Sequence, residues 1–294
     1  MNAKQPQQIK EQLQSGPVRR VVVVLDVTTE CGRALSSGVA LASGLQSGLV
    51  ALFADGQSLS RLEGHPMVRS IDLATGRGGG FGPGSMQRGV KAMARRTQRR
   101  LGILSKRHRI DARFEVVGGD IRQVLEAKTG PQDLLVVESS GRSVAGSYRL
   151  PSSGREIVRG LGSSALFVDK THRPVRSATL LYDGSEAAKR GLMTALRLGG
   201  RRRVPLITVL FVGTSKEEVQ GHRQELRQMV QAARRPVRIH GRRITHCATS
   251  QILTVSREMG SDLLILPGGA TFEGEADLER LIEESPSPVL VFRD

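Results

Sequence analysis

A chain of 294 residues, 38% of them hydrophobic, can build two domains of ordinary size around buried cores. No apolar run approaches the ~20 residues that a bilayer helix needs, which argues against membrane insertion. The net charge of +16 favours anionic partners such as a nucleotide, a nucleic acid or a lipid surface. An aromatic content of 3% argues against binding single strands through stacked bases.

The chain opens with MNAKQPQQIKEQLQSGPVRR, polar and Gln-rich. Residues 1–18 read as a disordered tail without the apolar core of a secretory signal, which fits a cytoplasmic protein. An apolar run, VVVVLD, predicts a strand over 21–27 that reaches Asp26 and turns through Thr28 and Thr29. A helix is expected over 31–46 and a strand over 48–54. Residues 57–85, with GRGGGFGPGS, read as a Gly-rich insertion too flexible to form an element. No Gly-Lys-Ser/Thr follows it, so Walker-type phosphate chemistry is not expected there.

MQRGVKAMARRTQRRLGILSKRHRI follows, with nine Lys and Arg and no acid. Val90, Met93, Thr97, Leu101 and Leu104 fall at helical spacing, so a helix over 86–107 has an apolar stripe. Lys91, Arg95, Arg96, Arg99, Arg100, Lys106 and Arg107 are then left for the solvent face. They form either a footprint for nucleic acid or an acidic partner, or a solvated face in an Arg-rich protein. Strands at 112–118, 133–138 and 164–169 and helices at 119–129 and 152–161 complete the first half.

The second half repeats the plan. Strands fit 177–183, 204–212, 237–246, 262–267 and 288–292, and helices fit 186–199, 215–235, 249–259 and 275–285. Asp183 ends a first strand as Asp26 does, GSDLLILPGGA echoes GPQDLLVVESSG, and SPVLVFRD echoes SSALFVD. Strands alternating with helices of this length indicate βαβ units and a parallel sheet. Two domains are expected, 19–170 and 175–294. In Asp183-Gly184-Ser185-Glu186, Gly184 permits a tight turn and Ser185 or Asp183 caps the next helix, with capping-box spacing to Glu186. Capping alone explains these residues, and so does a ligand role in which a carboxylate accepts hydrogen bonds from a base or sugar.

Cys31 and Cys247 lie in separate halves without metal-ligand spacing and read as buried free thiols in a reducing compartment. The six His residues show neither HExxH nor a catalytic constellation, so no metal site and no enzyme are expected.

The repeated pattern, with DGSEAAKRGLMTALRLGG, VVGGDIRQVLEAKTGPQDLLVVESSGRS and SPSPVLVFRD, resembles a tandem pair of universal stress protein domains over residues 19–294. The resemblance implies an α/β fold: two doubly wound, Rossmann-like domains, each with a five-stranded parallel sheet. It implies a regulatory role in the stress response and, in some members, ATP bound by a glycine loop after the fourth strand. Here that loop is matched at Gly141 and Ser152 but carries Glu138 and Pro151 at the other two positions. An adenine nucleotide is therefore expected in the first domain, between Asp26 and Thr28 and the loop residues Gly141, Arg142, Ser143, Ser152 and Ser153. The second domain keeps Asp183, Gly184, Ser185, Gly268 and Gly269 as a remnant. Its acidic run at Glu273, Glu275, Asp277 and Glu279 opposes a triphosphate. The resemblance also implies pairing of the final strands 164–169 and 288–292 into a pseudo-dimer, while exposed edge strands invite a homodimer and the protein partner is unnamed. The alternatives are nucleic-acid or acidic-partner binding through helix 86–110, and an ATP hydrolase or nucleotidyl transferase.

Overall fold

A strand covered on both faces must be apolar along its whole length, and the central strands of this chain are. The computed structural model describes residues 18–26, 31–55, 69–71, 78–80, 85–139, 154–155, 157–158, 162–168, 175–198, 206–213, 215–233, 237–244, 248–268, 272 and 274–293. Thr28, Gly141, Arg142, Ser143, Ser152, Ser153, Gly269, Cys247 and residues 1–17 lie outside the described residues, and for Asp26 the backbone alone is described.

The first half holds β1 (Arg20–Asp26), β2 (Gly48–Ala54), β5 (Ala112–Val117), β6 (Asp133–Glu138) and β7 (Ser164–Val168). Its helices are α1 (Gly32–Leu45), α2 (Ser85–His108) and α3 (Ile121–Lys128), with further helical backbone at 154–155 and 157–158. The second half holds β8 (Ser177–Tyr182), β9 (Leu206–Val212), β10 (Arg238–Ile244), β11 (Leu263–Pro267) and β12 (Val289–Phe292). Its helices are α4 (Glu186–Leu198), α5 (Lys216–Ala233), α6 (Thr249–Glu258) and α7 (Glu275–Glu284).

One sheet of ten strands runs β10-β9-β8-β11-β12-β7-β6-β1-β2-β5. Within each half every pair is parallel and the first strand lies at the centre, flanked by the second and the fourth. The halves meet where β12 runs antiparallel to β7, with Val289 opposite Phe167 and Val291 opposite Ala165. Both strands are fully buried. One face of the sheet packs under α1, α2, α4 and α5, and the other under α3, Ile157, Val158, α6 and α7.

The strands that close the sheet differ from the rest. Among the described residues β5 and β10 are the edge strands, and their exposed Arg113, Arg238, His240 and Arg242 discourage another chain from pairing there.

Between β2 and α2 the structure departs from expectation. A hairpin forms within residues 57–85, β3 (Arg69–Ile71) against β4 (Gly78–Gly80), with Ile71 opposite Gly78. Glycine weakens a strand entropically but leaves its N–H and C=O free to pair, and a partner strand supplies the order the sequence lacks.

The echo between GPQDLL and GSDLL has a structural cause. Buried Asp133 accepts from Arg20 Nε at 3.0 Å and Nη2 at 2.8 Å, tying the start of β6 to the start of β1. Asp262 does the same in the second half, accepting from the N–H groups of Arg176 at 2.9 Å and Ser177 at 3.0 Å. Both acids stand at the amino edge of the strands, opposite the edge where an open α/β sheet binds ligands. The Arg20 guanidinium is held above its ordinary value by its hydrogen bonds to Asp133, against the opposing effect of burial.

Candidate functional site

Where the first strand lies between the second and the fourth, successive crossovers leave in opposite directions and open a crevice at the carboxyl ends. That point falls between β1 and β6 in the first half and between β8 and β11 in the second. Because β7 and β12 are antiparallel, the two crevices open on opposite edges of the sheet.

In the first crevice Asp26 closes β1 beside Ala54, the last residue of β2. Asp55 follows, its N–H bonded to Val117 O at 3.0 Å, while its Oδ1 is buried and has no hydrogen-bond partner among the described residues. Helix α1 starts where the sequence suggested, and its N-cap, Cys31, makes no side-chain capping bond. The first turn of α1 has no acid of its own, and a buried carboxylate reaches it from β6: Glu138 Oε1 accepts from Ala34 N at 3.5 Å. Glu138, a misfit for a glycine phosphate loop, thus sits where the positive end of α1 favours an anion.

A second visitor reaches the same turn from α2. A Cβ built on Gly32 would lie 2.6 Å from Arg100 Nη1, so the guanidinium rests against the backbone at the start of α1. The sequence had grouped Arg100 with a solvent-facing basic surface. The other predicted members, Lys91, Arg95, Arg96, Arg99, Lys106 and Arg107, are exposed, as is Arg100 itself. The stripe beneath them is buried at Ala94, Thr97 and Leu101 and partly buried at Val90, Met93 and Leu104.

The second crevice is built more tightly. Asp183 Oδ1 accepts from Ser185 N at 3.0 Å and Ser185 Oγ at 2.6 Å, and Ser185 Oγ in turn accepts from Ala188 N at 3.2 Å. Ser185 therefore caps α4. The Asp183–Glu186 capping box does not form, because Glu186 turns outward to Lys189, Oε1 to Nζ 3.0 Å. Gly184 has φ +81, a left-handed conformation that side chains rarely adopt. A Cβ there would lie 2.6 Å from His222 Nε2, because α5 lays the imidazole over the turn. The ring stacks edge-on to Tyr182 at 5.9 Å, and its buried Nδ1 has no partner among the described residues.

Tyr182 donates to Glu225 Oε2 at 2.9 Å, and Lys189 Nζ reaches Glu225 Oε1 at 2.8 Å. Burial, reinforced by Glu225, raises the Tyr182 phenol well above its ordinary value. Burial works against the Lys189 ammonium, but Glu225 and Glu186 outweigh it and hold its pKa above the ordinary value.

The glycine remnant after β11 is occupied by the fold. Gly268 N–H donates to Phe292 O at 2.5 Å, and a Cβ on Gly268 would meet Val291 and Arg293 at 3.0 Å. That N–H is thus engaged by the fold, and the glycine answers a packing need. Glu275 and Asp277 stand in the first turn of α7, as the sequence indicated. Among the described residues no group of three or more His, Cys, Asp or Glu is placed to hold a metal. No helix among them is long and apolar enough to cross a membrane.

The contacts of Arg100 with Gly32 and of His222 with Gly184 escaped the sequence reading. Each residue comes from a later helix, and what marks it is contact with a glycine backbone, which leaves no local pattern.

Two doubly wound α/β units, joined through their fifth strands into one sheet, define the class of protein. Solved structures of universal stress proteins share this overall arrangement. A universal stress protein from Archaeoglobus fulgidus DSM 4304 superposes with a TM-score of 0.58 at 14% identity, covering 92% of this chain and 98% of its own. A Pseudomonas aeruginosa UCBPP-PA14 protein carrying the same family name gives 0.59 at 13% identity, with 95% and 94% covered. A functionally unknown protein from Pseudomonas aeruginosa PAO1 gives 0.58 at 13%, with 96% and 94% covered. No family model matches the sequence, and no curated protein does. At such identities the likeness is one of fold.

Proposed function

We propose that this chain is a cytoplasmic, non-catalytic regulator of the stress response that holds an adenine nucleotide in its first crevice, its second domain serving as a structural partner. One observation carries the reading: beside the end of β1, Asp55 keeps a buried carboxylate oxygen with no partner among the described residues, whereas in the second half Asp183 and the Gly268 N–H are engaged within the fold. Unpaired buried acceptors are rare and favour a donor from outside, which an adenine amino group or a ribose hydroxyl supplies.

Asp26 and Asp55 would meet base and sugar. Arg100 and the loop residues Gly141, Arg142, Ser143, Ser152 and Ser153 would meet the phosphates, since Glu138 already fills the start of α1. The bound nucleotide would act as an occupancy signal, read by a protein partner at the surface around the crevice.

The test is to purify the protein without added nucleotide, denature it and analyse what is released. An adenine nucleotide near one equivalent supports the reading. An empty protein that also fails to take up labelled ATP removes it, and steady turnover of that ATP would replace it with a hydrolase.

A further inference from the structure

The first half of helix α2 arranges its charges against its own stability. Its first turn contains no acid, and Arg88 and Lys91 stand in its first half, where the helix dipole is already positive. Lys91, Arg95 and Arg99 follow one another at four-residue spacing, as do Arg96 and Arg100, and like charges so placed destabilise a helix. No ion pair relieves any of them among the described residues, whereas Arg122, Lys128, Lys189, Arg242 and Arg280 on other elements each have an acid within reach.

The placement is linear. With the apolar stripe against the sheet, Arg88, Lys91, Arg95, Arg99 and Lys106 follow the opposite ridge, all exposed. At 1.5 Å per residue the ridge spans about 27 Å, with cations about one turn apart for much of its length. Six of the eight cations in α2 are arginine, whose fork grips phosphate oxygens in pairs.

We propose that this ridge binds duplex nucleic acid through its phosphate backbone, without reading bases. The chemistry disfavours the other polyanions. A lipid surface would be entered by an apolar face, and that of α2 is already buried in the domain core. An acidic protein would be gripped by aromatic and aliphatic anchors, and among the described residues of α2 only Ile103, 68% exposed on the flank of the ridge, is a large apolar side chain that stands out. The surface stands independently of the crevice, so an empty nucleotide site leaves it untouched.

The test is fluorescence anisotropy of the full chain with 20-base-pair duplexes of unrelated sequence, as DNA and as RNA, at 50 to 200 mM salt. About five phosphate contacts predict a slope of log affinity against log salt near −4.5 and a loss of about 500-fold across that range. The triple variant Lys91→Gln, Arg95→Gln, Arg99→Gln should flatten the slope by about three and weaken binding at 50 mM at least about 30-fold. The control Arg122→Gln, Lys128→Gln, Arg280→Gln removes equal charge from paired sites and should stay within about threefold. Affinity equal among sequences and lost in the ridge variant alone supports the proposal, and the DNA and RNA arms show which duplex is preferred. Three results overturn it: no binding to either duplex at 50 mM, an unchanged slope in the ridge variant, or tighter binding to phosphatidylserine vesicles or polyglutamate than to duplex. Circular dichroism melts of both variants confirm that each is folded.

Discussion

The turn at the end of β1 and the turn at the end of β8 begin from the same plan and finish with different chemistry. Each is an Asp followed by a short turn into the first crossover helix, and each is overlaid by one side chain from the second helix of its half. Over Gly32 that side chain is exposed Arg100, and over Gly184 it is His222, locked edge-on to Tyr182. An exposed guanidinium beside a helix start can still meet an anion from solvent. An imidazole packed on a phenol is held within the fold. The acids differ too: Asp183 is engaged in holding Ser185, while Asp55 keeps an oxygen with no partner among the described residues. The two halves thus share a frame and differ at these turns.

The frame is best tested where the halves agree. Gly38 in α1 and Gly191 in α4 bring each crossover helix onto the sheet: a Cβ would lie 2.3 Å from Val23 Cγ2 in the one and 2.9 Å from Ile265 Cγ2 in the other. Gly38→Val and Gly191→Val should each destabilise the chain by about 2–3 kcal/mol in urea unfolding. A loss in one half alone would show that the halves do not share this packing.

Next in size is a contact between the halves. Arg190 donates to Arg293 O and Pro131 O, both at 2.8 Å, and stands 5.7 Å over Phe292, joining the halves. Arg190→Ala should cost about 2 kcal/mol and separate a single thermal transition into two. One unshifted transition would mean that the β7–β12 pairing suffices without it.

Tyr182 has an aliphatic counterpart in Leu25, so a pH effect should belong to the second half alone. Its folded pKa lies above the ordinary 10.0, so its contribution is intact below that pH and is lost as pH rises beyond it. Above pH 10 the wild type should lose about 1.4 kcal/mol per pH unit more than Tyr182→Phe, followed by denaturant melts. Parallel pH profiles would contradict the burial of the phenol.

The smallest effects fall in the second helices. Gly102 in α2 and Gly221 in α5 have open space where a Cβ would stand. Gly102→Ala and Gly221→Ala should each raise stability by about 0.5–1 kcal/mol. A loss at Gly102 alone would reveal a contact specific to α2.

The frame was legible because its causes are periodic. VVVVLD, LLYD and the two DLL runs state the parallel sheet directly, and the alternation of apolar and charged positions in 86–107 states which side of α2 is wet. The acids of the DLL runs were visible, but their work at the far edge needed Arg20 and Ser177 brought in from another strand. The capping box at Asp183 failed because Lys189, one turn on, is a better partner for Glu186 than a backbone N–H. The pairing of 69–71 with 78–80 was illegible because a Gly-rich run carries no apolar period to announce a strand. Arg100 and His222 were illegible because only the folded chain brings them to their glycines.

The central asymmetry is that Asp55 in the first half keeps an oxygen without a partner among the described residues, while Asp183 in the second is bonded to Ser185. Thermal melting with ATP and magnesium, at a hundredfold excess over the dissociation constant, should add about 2.7 kcal/mol to the wild type. The same gain is expected for Asp183→Asn and no gain for Asp26→Asn. No shift at millimolar ATP, or a shift abolished by Asp183→Asn and kept by Asp26→Asn, would contradict it.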